Sequence, residues 1–416
     1  MPPELGCRHA LLLQGPPGPF FRRLAGELRD RGVAASKVNF NGGDECFFPD
    51  GVPFRDPMAT WPDFFERVVR ERGVDAVVVF GDCRPIHRAA IERARALGVL
   101  VWVFEEGYVR PDYITLERDG VNGHSRLPRD PEFYRRQAAA LPAPAPAQPV
   151  GQSFARHAYY STRYALETTL RRQRFPHYVH HRSLTPWMHA AGWIRGGARK
   201  PLWARREREL MPTLTGPWSK RFFLVPLQVH ADYQIIAHSA FTGVEQMIGE
   251  VLGSFAEHAP KDAALVFKHH PMDRGYCDYT ALIGKRAGVL GVGERVLAIH
   301  DLHLPSLLRH ARGVVTVNST VGLSAVHHQA PVKVLGVAMY DILGLTAQTS
   351  LADFWQRPEP PDAELYQDFV TYLRATSQHN GNFYRPLHGY GTGVNWLRGV
   401  SPAASAAAAD VEMSLT

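Results

Sequence analysis

One stretch, residues 265–336, restricts the fold more than any other part of the chain. It predicts strands at its start, at 313–317 and at 332–336, with helices at 304–310 and 321–328. Buried strands that are joined by helices lie parallel in one sheet, and the helices cover its faces. The pattern therefore predicts half of a nucleotide-binding α/β sheet, which binds ligands at the carboxyl ends of its strands.

Polar residues follow two of these predicted strands. The first strand ends in Lys268-His269-His270-Pro271, and the second ends in Asn318-Ser319-Thr320 directly before a helix. A helix N-terminus offers free N–H groups and a positive dipole end, which suit a phosphate. A Ser/Thr N-cap is the alternative for the second group. The two groups together favour a ligand site. Because successive strand residues face opposite sides, one histidine of the His269-His270 pair should be buried and the other should face the cleft. The candidate donor-binding residues are Lys268, His270, Pro271, Asn318, Ser319 and Thr320.

The first hundred residues predict a second sheet of the same kind. Short apolar segments at 9–13, 33–40, 76–80 and 99–104 alternate with helical patterns at 20–31, 61–72 and 87–97. Four strands joined by three helices imply a parallel, doubly wound domain. Glycine, amide and charged residues follow each strand, at the edge where open α/β sheets bind their ligands.

Composition changes mark the domain boundaries. A Pro/Ala tract at 141–151 favours a linker, and the Ala/Ser-rich end of the chain favours disorder. The predicted divisions are an N-terminal domain at 1–145, a basic aromatic segment at 146–214, a C-terminal domain at 215–345, a helical segment at 346–400 and a disordered tail at 401–416. The expected fold class is α/β and GT-B-like, with two Rossmann-like parallel-sheet domains facing a cleft.

The charge of the chain favours an anionic partner. The net charge is +7, and residues 151–212 hold twelve Lys/Arg against three Glu, with Trp and Tyr interleaved. Basic and aromatic residues together favour a membrane surface, although a solvated helical linker is the alternative. Nucleic acid is not favoured, because the charge lies outside any recognised nucleic-acid module. The four scattered cysteines form no CxxC pair, and no run of 18 apolar residues predicts a membrane-spanning helix.

Transfer of a sugar from a nucleotide requires groups that stabilise the leaving phosphate, attack the sugar and move a proton, and candidates for each lie at these strand ends. No DxD pair is present, so Lys268, His270 and the amides at 319–320 are expected to hold the phosphate without a metal. Retention of configuration needs a carboxylate nucleophile, and Asp232 follows a predicted strand at 222–227. Asp232 is otherwise a loop aspartate or a helix cap. Glu105 and Glu106 are adjacent carboxylates suited to acid/base work, unless one of them pairs with Arg110.

Several motifs together carry a family resemblance. They are Leu12–Pro17, Val38–Asp44, Phe80–Arg84, Phe104–Asp112, Val121–Ser125, His270-Pro271 and Asn318–Gly322. On these motifs the chain resembles the KpsS-type capsule polysaccharide proteins, bacterial β-Kdo glycosyltransferases. The resemblance implies a retaining enzyme that needs no cofactor and moves Kdo from CMP-β-Kdo to a phosphatidylglycerol-type lipid at the inner face of the inner membrane. Other capsule synthesis and export proteins are the implied partners.

The resemblance also implies roles for individual residues. Asp232 is the implied nucleophile, with Glu105 or Glu106 as the acid/base, and His270-Pro271 binds the donor. The implied acceptor-side residues are Gln14, Asn41, Asp82 and Arg84. A non-enzymatic export or assembly component that binds the lipid-linked polymer is the second hypothesis, and such a protein has no reason to assemble a donor site.

Overall fold

The computed structural model describes residues 5–151, 153–179, 186–230 and 232–387, of which 186–190 by their backbone only. The chain forms two compact units. The first comprises Met1–Arg126, Arg136–Pro186 and Phe369–Thr416, and the second comprises Leu127–Arg135 and Trp187–Asp368. The basic segment predicted at 146–214 is thus shared between the units, and the tail predicted at 401–416 lies outside the described residues.

The first unit is built on a seven-stranded sheet. Its strands, numbered along the whole chain, are β1 (His9–Leu12), β2 (Ala34–Asn39), β3 (Val52–Pro53), β4 (Ala76–Phe80), β5 (Leu100–Glu106), β6 (Tyr113–Arg118) and β12 (Gln378–Asn380). The order across the sheet is β12-β6-β5-β4-β1-β2-β3. Strands β1 to β5 are parallel to one another, as the alternating pattern predicted.

Helices connect and cover these strands. They are α1 (Phe20–Asp30), α2 (Gly42–Phe47), α3 (Trp61–Arg72), α4 (Pro85–Ala96) and α6 (Phe154–Leu170), whereas α5 (Pro131–Ala140) is divided between the two units. Apolar residues at helical spacing in α1, among them Phe21, Leu24 and Leu28, are buried in the core on one side of the sheet. The core on the other side includes Trp61 and Phe65 of α3 and Ile91 of α4.

The second unit is built on a five-stranded sheet. Its strands are β7 (Phe222–Pro226), β8 (Ala264–Lys268), β9 (Val296–Ile299), β10 (Gly313–Thr316) and β11 (Val332–Val334), in the order β11-β10-β7-β8-β9. All neighbouring pairs are parallel. The helices of this part of the chain are α7 (Pro186–Arg206), α8 (Leu210–Thr215), α9 (Tyr233–Ala237), α10 (Val244–His258), α11 (Thr280–Val289), α12 (Leu304–His310), α13 (Thr320–His327), α14 (Leu351–Gln356) and α15 (Ala363–Thr376). The α/β class with parallel sheets is therefore confirmed.

Some elements differ from the sequence predictions. The helical segment predicted at 346–400 contains two separate helices, α14 and α15. The residues between them include Pro358, Pro360 and Pro361, and proline both lacks an N–H donor and restricts the residue before it. The polar, glycine-rich residues that follow β2 begin a short helix, α2, which was not predicted. Asn41 caps this helix by accepting from the amide of Asp44. Strands β3, β6, β9 and β12 were not predicted, and β6 and β12 pair antiparallel.

Two adjacent glycines allow α6 to approach α2 closely. A Cβ atom at Gly42 would overlap the backbone oxygen of Glu167, and one at Gly43 would overlap the ring of Tyr164. Any larger side chain at either position would push α6 away from the first unit's sheet edge. The close approach brings Tyr164 to the polar residues that follow β1 and β2.

Candidate functional site

The second unit gathers polar side chains beyond the ends of the neighbouring strands β7 and β10. Nε2 of Gln228 donates to Oδ2 of Asp232 and to Oδ1 of Asn318, each at 2.9 Å. Asp232 also caps α9, because its Oδ1 accepts from the amide of Gln234 at 2.9 Å. The two strand ends are thereby joined through Gln228, which is itself buried.

The turn after β10 leads directly into α13. Ser319 caps this helix, since its Oγ accepts from the amide of Val321 at 3.2 Å, and Thr320 is the first helical residue. Asn318 is fixed by donating to the carbonyl of Gln234 at 2.9 Å. The hydroxyl of Tyr340 donates to the carbonyl of Ser319. Both the N-cap predicted for this turn and the helix N-terminus that suits an anion are therefore present.

The residues that end β8 differ in environment. Lys268 is buried and donates to the carbonyl of His300 at 3.0 Å, and loss of hydration lowers the pKa of its amine. His269 is buried as well: its Nδ1 lies 3.2 Å from the carbonyl of Ile299, and its Nε2 accepts from the amide of Tyr279. His270 is less buried. Its Nδ1 accepts from the amide of Met272 at 3.1 Å, and the His270 side chain thereby caps the turn that begins at Pro271.

One group of side chains in the second unit has ligand atoms close enough for a metal, namely His269, Asp278 and His300. The two imidazole rings are stacked, with centroids 4.2 Å apart and planes inclined by 12°. An ion bound by both rings would have to lie in both ring planes, which stacked rings do not allow. Nε2 of His269 is in addition engaged by the amide of Tyr279. The geometry therefore fits a packed aromatic stack better than a metal centre.

Helix α7 holds the loop that follows His270-Pro271. Nε of Arg195 donates to the carbonyl of Gly275, and Nη1 of Arg199 donates to that of Arg274 at 3.0 Å. Trp203, near the end of α7, stacks on the ring of His300 with centroids 3.6 Å apart. Glu207 follows α7 and accepts from the amide and from Nδ1 of His300. The basic helix thus fixes the His-Pro loop by backbone contacts.

In the first unit, three of the four predicted acceptor-side residues meet. Gln14, after β1, donates through Nε2 to the hydroxyl of Tyr164 at 3.0 Å and accepts from Arg84 through Oε1 at 3.2 Å. Asn41, after β2, donates to the same Tyr164 hydroxyl at 2.7 Å. That hydroxyl donates to Oδ1 of Asp44 at 3.2 Å. We call Gln14, Asn41, Asp44, Arg84 and Tyr164 the acceptor cluster.

A buried ion pair supports the acceptor cluster. Nζ of Lys37 lies 3.4 Å from Oδ1 of Asp44, and both side chains are almost wholly buried. Loss of hydration lowers the pKa of Lys37, and the charge of Asp44 opposes that shift. Oδ2 of Asp44 accepts from the amide of Phe40 at 3.0 Å. Asp44 is therefore held in place by a cation, a backbone amide and the Tyr164 hydroxyl.

Glu105 and Glu106 lie at the end of β5. Loss of hydration raises the pKa of Glu105 to about 7, and the nearby charges of Glu106 and Asp82 act in the same direction. Oε1 of Glu105 accepts from the amide of Glu106 at 3.0 Å. Loss of hydration also raises the pKa of Glu106, while the charge of Arg110 opposes the shift. A carboxyl group that titrates near neutral pH suits general acid/base work.

Asp82, the fourth predicted acceptor-side residue, lies beside His124 rather than in the acceptor cluster. Its Oδ2 accepts from the amide of Val121 at 3.0 Å and lies 3.1 Å from Nδ1 of His124. Burial disfavours the charged form of Asp82, but the hydrogen bonds from His124, Val121 and Cys83 prevail and lower its pKa. Asp82 is thus an anion that fixes the 121–124 turn against the end of β4.

Comparison with known proteins decides the family. Residues 75–384, most of the chain, match the family described as capsule polysaccharide biosynthesis protein. The chain belongs to the capsule polysaccharide biosynthesis protein family. It is 43% identical to the capsule polysaccharide export protein KpsS of Escherichia coli over 382 residues, covering 91% of this chain and 98% of that protein. It is 42% identical to the capsule polysaccharide modification protein LipB of Neisseria meningitidis over 389 residues, covering 91% and 92%. The predicted family is confirmed.

Among solved structures, this member of the capsule family is similar to Thermosulfurimonas dismutans KpsC, beta Kdo 2,7 transferase. The similarity covers 88% of this chain and 94% of that one, at 16% identity and a TM-score of 0.39. An S. aureus MnaA–UDP structure is similar at 13% identity and a TM-score of 0.30, covering 92% of this chain and 93% of that one.

The basic segment of this capsule protein is partly neutralised within the molecule. Arg171 and Arg174 both pair with Glu45, at 3.0 and 2.9 Å, and Arg171 also pairs with Glu167. These charges fix the segment to α2 and are not all available to a partner. Over the residues that the structure describes, no helix is both long and apolar enough to cross a bilayer.

The sequence did not point to the residues that hold the predicted site residues in place, namely Gln228, Tyr164 and Lys37. Gln228 carries a signal in hindsight, since it follows β7 just as Asn318 follows β10. Tyr164 and Lys37 carry no local signal: Tyr164 is one aromatic residue among many in the basic segment, and Lys37 reads as an exposed strand lysine. Only the close packing of α6 on α2 shows the role of Tyr164.

Proposed function

We propose that this capsule protein is a retaining β-Kdo glycosyltransferase that moves Kdo from CMP-β-Kdo to a phosphatidylglycerol-type lipid. The product would start the poly-Kdo linker of a capsular polysaccharide at the inner face of the inner membrane. Family membership supports a role in capsule biosynthesis. The sugar and the lipid in this proposal come from the resemblance of the motifs, and the arrangement of side chains supports the general reaction.

The observation that carries the proposal is the fixed position of Asp232. A nucleophilic carboxylate must be held in one orientation, and Gln228 and the amide of Gln234 each hold one oxygen of Asp232 at 2.9 Å. In the first step, an Asp232 oxygen bonds to the anomeric carbon of Kdo. The bond from that carbon to the phosphate oxygen breaks, and CMP leaves with the electron pair. The result is a Kdo ester on Asp232.

The phosphate of CMP needs stabilisation when it leaves. The free amides at the start of α13, the hydroxyls of Ser319 and Thr320, and the imidazole of His270 are suited to that charge. Lys268 contributes from the interior by holding the end of β8 to the carbonyl of His300. These groups together supply positive potential without a bound metal.

In the second step, the acceptor hydroxyl replaces Asp232. Its oxygen bonds to the anomeric carbon, the ester bond to Asp232 breaks, and the proton of the hydroxyl passes to Glu105 or Glu106. The pKa of about 7 at Glu105 allows that residue to take up the proton and to release it again near neutral pH. The acceptor cluster, with the amides of Gln14 and Asn41 and the guanidinium of Arg84, is suited to bind the polar head of the acceptor.

One experiment tests the proposal directly. The protein is incubated with CMP-β-Kdo and a fluorescent phosphatidylglycerol, and products are identified by mass. The expected product carries added Kdo and CMP is released, whereas Asp232→Asn gives none. Absence of product with the folded parent protein, across detergent and vesicle forms of the acceptor, would contradict the transferase proposal.

A second candidate function is a non-enzymatic export or assembly component that binds the lipid-linked polymer. The name of the E. coli relative, an export protein, favours it. This candidate expects tight binding of the finished glycolipid, no release of CMP from CMP-β-Kdo, and no effect of Asp232→Asn on that binding. Measurement of CMP release therefore separates the two candidates.

The proposed location follows from the basic segment at 146–214. Exposed apolar residues lie in it, including Tyr159 and Leu166 in the first unit and Trp193 and Ile194 in the second. We propose that this segment holds the enzyme at an anionic membrane surface, where the lipid acceptor and other capsule synthesis and export proteins are found. Binding should weaken as salt is raised.

A further inference from the structure

Helix α6 has two faces of different character. On the inner face, Tyr164 reaches the acceptor cluster, and Oγ1 of Thr168 donates to Oδ1 of Asn41 at 3.2 Å. On the outer face, the side chains of Tyr159, Leu166 and Leu170 are exposed, with 57%, 55% and 69% of their surface accessible. No residue of this seventeen-residue helix is fully buried.

Three of the four large exposed apolar residues of α6 form one stripe, and the fourth, Phe154, lies off it at the start of the helix. Tyr159, Leu166 and Leu170 are separated by seven and four residues, the spacing that places side chains on the same side of a helix. The ring of Tyr164, which packs against Gly43 of α2, lies on the other side of the helix. Three large apolar side chains aligned along the solvent-facing side of a helix are unusual, because polar residues are expected there.

The charges around the stripe have one sign. Arg156 and Arg163 are exposed beside it, and Arg163 lies over the ring of Phe47 at 5.7 Å. The one acidic residue of the helix, Glu167, is on the inner side and pairs with Arg171 at 2.9 Å. An apolar stripe with arginine beside it and no exposed carboxylate complements an anionic lipid surface, where apolar side chains enter the headgroup region and arginine meets phosphate.

We propose that α6 lies flat on an anionic phospholipid bilayer through Tyr159, Leu166 and Leu170, and thereby holds the acceptor cluster over the lipid headgroups. The inference rests on the proposed function for its lipid acceptor and goes beyond it in naming the surface that meets the membrane. A helix with its side chains is about 10 Å across, so Tyr164 on the inner face is about that far from the headgroups. A lipid head that is lifted by this distance reaches the acceptor cluster.

Vesicle flotation tests the inference without any donor. Full-length protein is mixed with phosphatidylcholine vesicles that contain about 30% phosphatidylglycerol. The parent should float with these vesicles, and less so at high salt. The double variant Leu166→Glu/Leu170→Glu should lose about tenfold or more of its partitioning, because it replaces apolar contact with charge that the lipid repels. Circular dichroism and thermal unfolding establish that the variant is folded.

A matched control carries the same two charges elsewhere. Val289→Glu/Leu343→Glu also replaces two exposed apolar residues, which are 82% and 65% accessible, and should float as the parent does. Equal flotation of the α6 double variant and the parent would overturn the inference. A second copy of the chain is the other occupant of such a stripe. If the parent is a dimer that the α6 variant converts to monomer, and neither floats, the membrane is the wrong partner.

The transferase assay keeps the two proposals apart. With a short-chain, water-soluble acceptor the α6 double variant should retain the parent's turnover, and with vesicle acceptor its turnover should fall with its partitioning. Loss of turnover on the soluble acceptor as well would contradict a purely membrane role for the stripe. Flotation of the parent without turnover on any acceptor would contradict the proposed function and leave the membrane surface standing.

Discussion

Gln228 holds Asp232 and Asn318 with a single amide group, since its Nε2 donates to one oxygen of each at 2.9 Å. The two partners follow β7 and β10, which are neighbours in the sheet of the second unit. A carboxylate fixed in this way cannot rotate freely, and the position that it keeps is set by the sheet. The orientation of the Asp232 carboxylate therefore depends on Gln228.

Replacement of Asp232 by Asn should abolish turnover and leave CMP binding unchanged. The amide oxygen can still cap α9, but an amide is not a nucleophile toward the anomeric carbon. We expect a loss of about 10³-fold or more in turnover, measured as CMP release. Calorimetry with CMP provides the control. A Kdo adduct found by mass spectrometry on any other residue would be evidence against Asp232.

Replacement of Gln228 by Leu should slow the same step without removing the nucleophile. The carboxylate of Asp232 and the amide of Asn318 would lose their shared donor and could rotate. Misplacement of a reacting group by about 1 Å can cost about 100-fold in rate. Turnover should fall by about 10- to 100-fold, and Gln228→Asn, whose shorter side chain cannot span both partners, should behave in the same way. Parent-like turnover in both variants would show that Asp232 keeps its position by other contacts.

Replacement of His270 separates donor binding from turn capping. His270→Ala should weaken CMP binding by about 10- to 150-fold, because a charge-assisted hydrogen bond contributes about 1.5–3 kcal/mol. The ring nitrogen Nδ1 also caps the turn at Met272, a role that an Asn oxygen can take over. His270→Asn should therefore be as weak as His270→Ala if the imidazole contacts the phosphate. Recovery of CMP affinity in His270→Asn would reduce His270 to a structural cap.

The sequence predicted most of the strands and the polar residues that directly follow them. The alternation of apolar strands and helices predicted β1, β2, β4 and β5 in the first unit and β7, β8, β10 and β11 in the second, but not the edge strand β9. The residues Gln14, Asn41 and Arg84 were singled out as strand-end residues, and the fold brings them together. Strand β12 was missed because Gln-His-Asn has no strand pattern and pairs with β6 only through long-range packing.

The parts of the site that were missed depend on contacts between distant segments. Tyr164 is separated from Gln14 by 150 residues, and the contact requires two glycines in α2 that allow α6 to approach. Lys268, in contrast, was predicted as a site residue, but its side chain does not point where the prediction placed it. Its position at a strand end predicted contact with a phosphate, yet its amine is buried against the carbonyl of His300. The pattern locates a residue in the sheet, but the direction of a long side chain is decided by packing.

The raised pKa of Glu105 predicts a pH dependence of stability. Its carboxyl titrates at about 7 in the folded protein, against an ordinary value of 4.5. The folded protein therefore binds this proton more tightly, and Glu105 lowers stability as pH rises from about 4.5 to about 7, by up to about 3 kcal/mol. Glu105→Gln should raise the melting temperature at pH 8 relative to the parent, with little change at pH 4. An equal effect at both pH values would show that Glu105 titrates normally.

Removal of the Tyr164 hydroxyl tests the acceptor cluster. In Tyr164→Phe, Gln14, Asn41 and Asp44 each lose one buried partner, so the protein should lose about 1–3 kcal/mol of stability. The affinity for the lipid acceptor should fall while CMP binding stays the same, because the cluster belongs to the first unit and the proposed donor residues belong to the second. Tyr159→Phe is the matched control, since it removes the same atom from the exposed face of the same helix and should change stability by less than about 0.5 kcal/mol. If both variants unfold at the same denaturant concentration as the parent, the Tyr164 hydroxyl does not support the cluster, and the link between α6 and the acceptor side has to be abandoned.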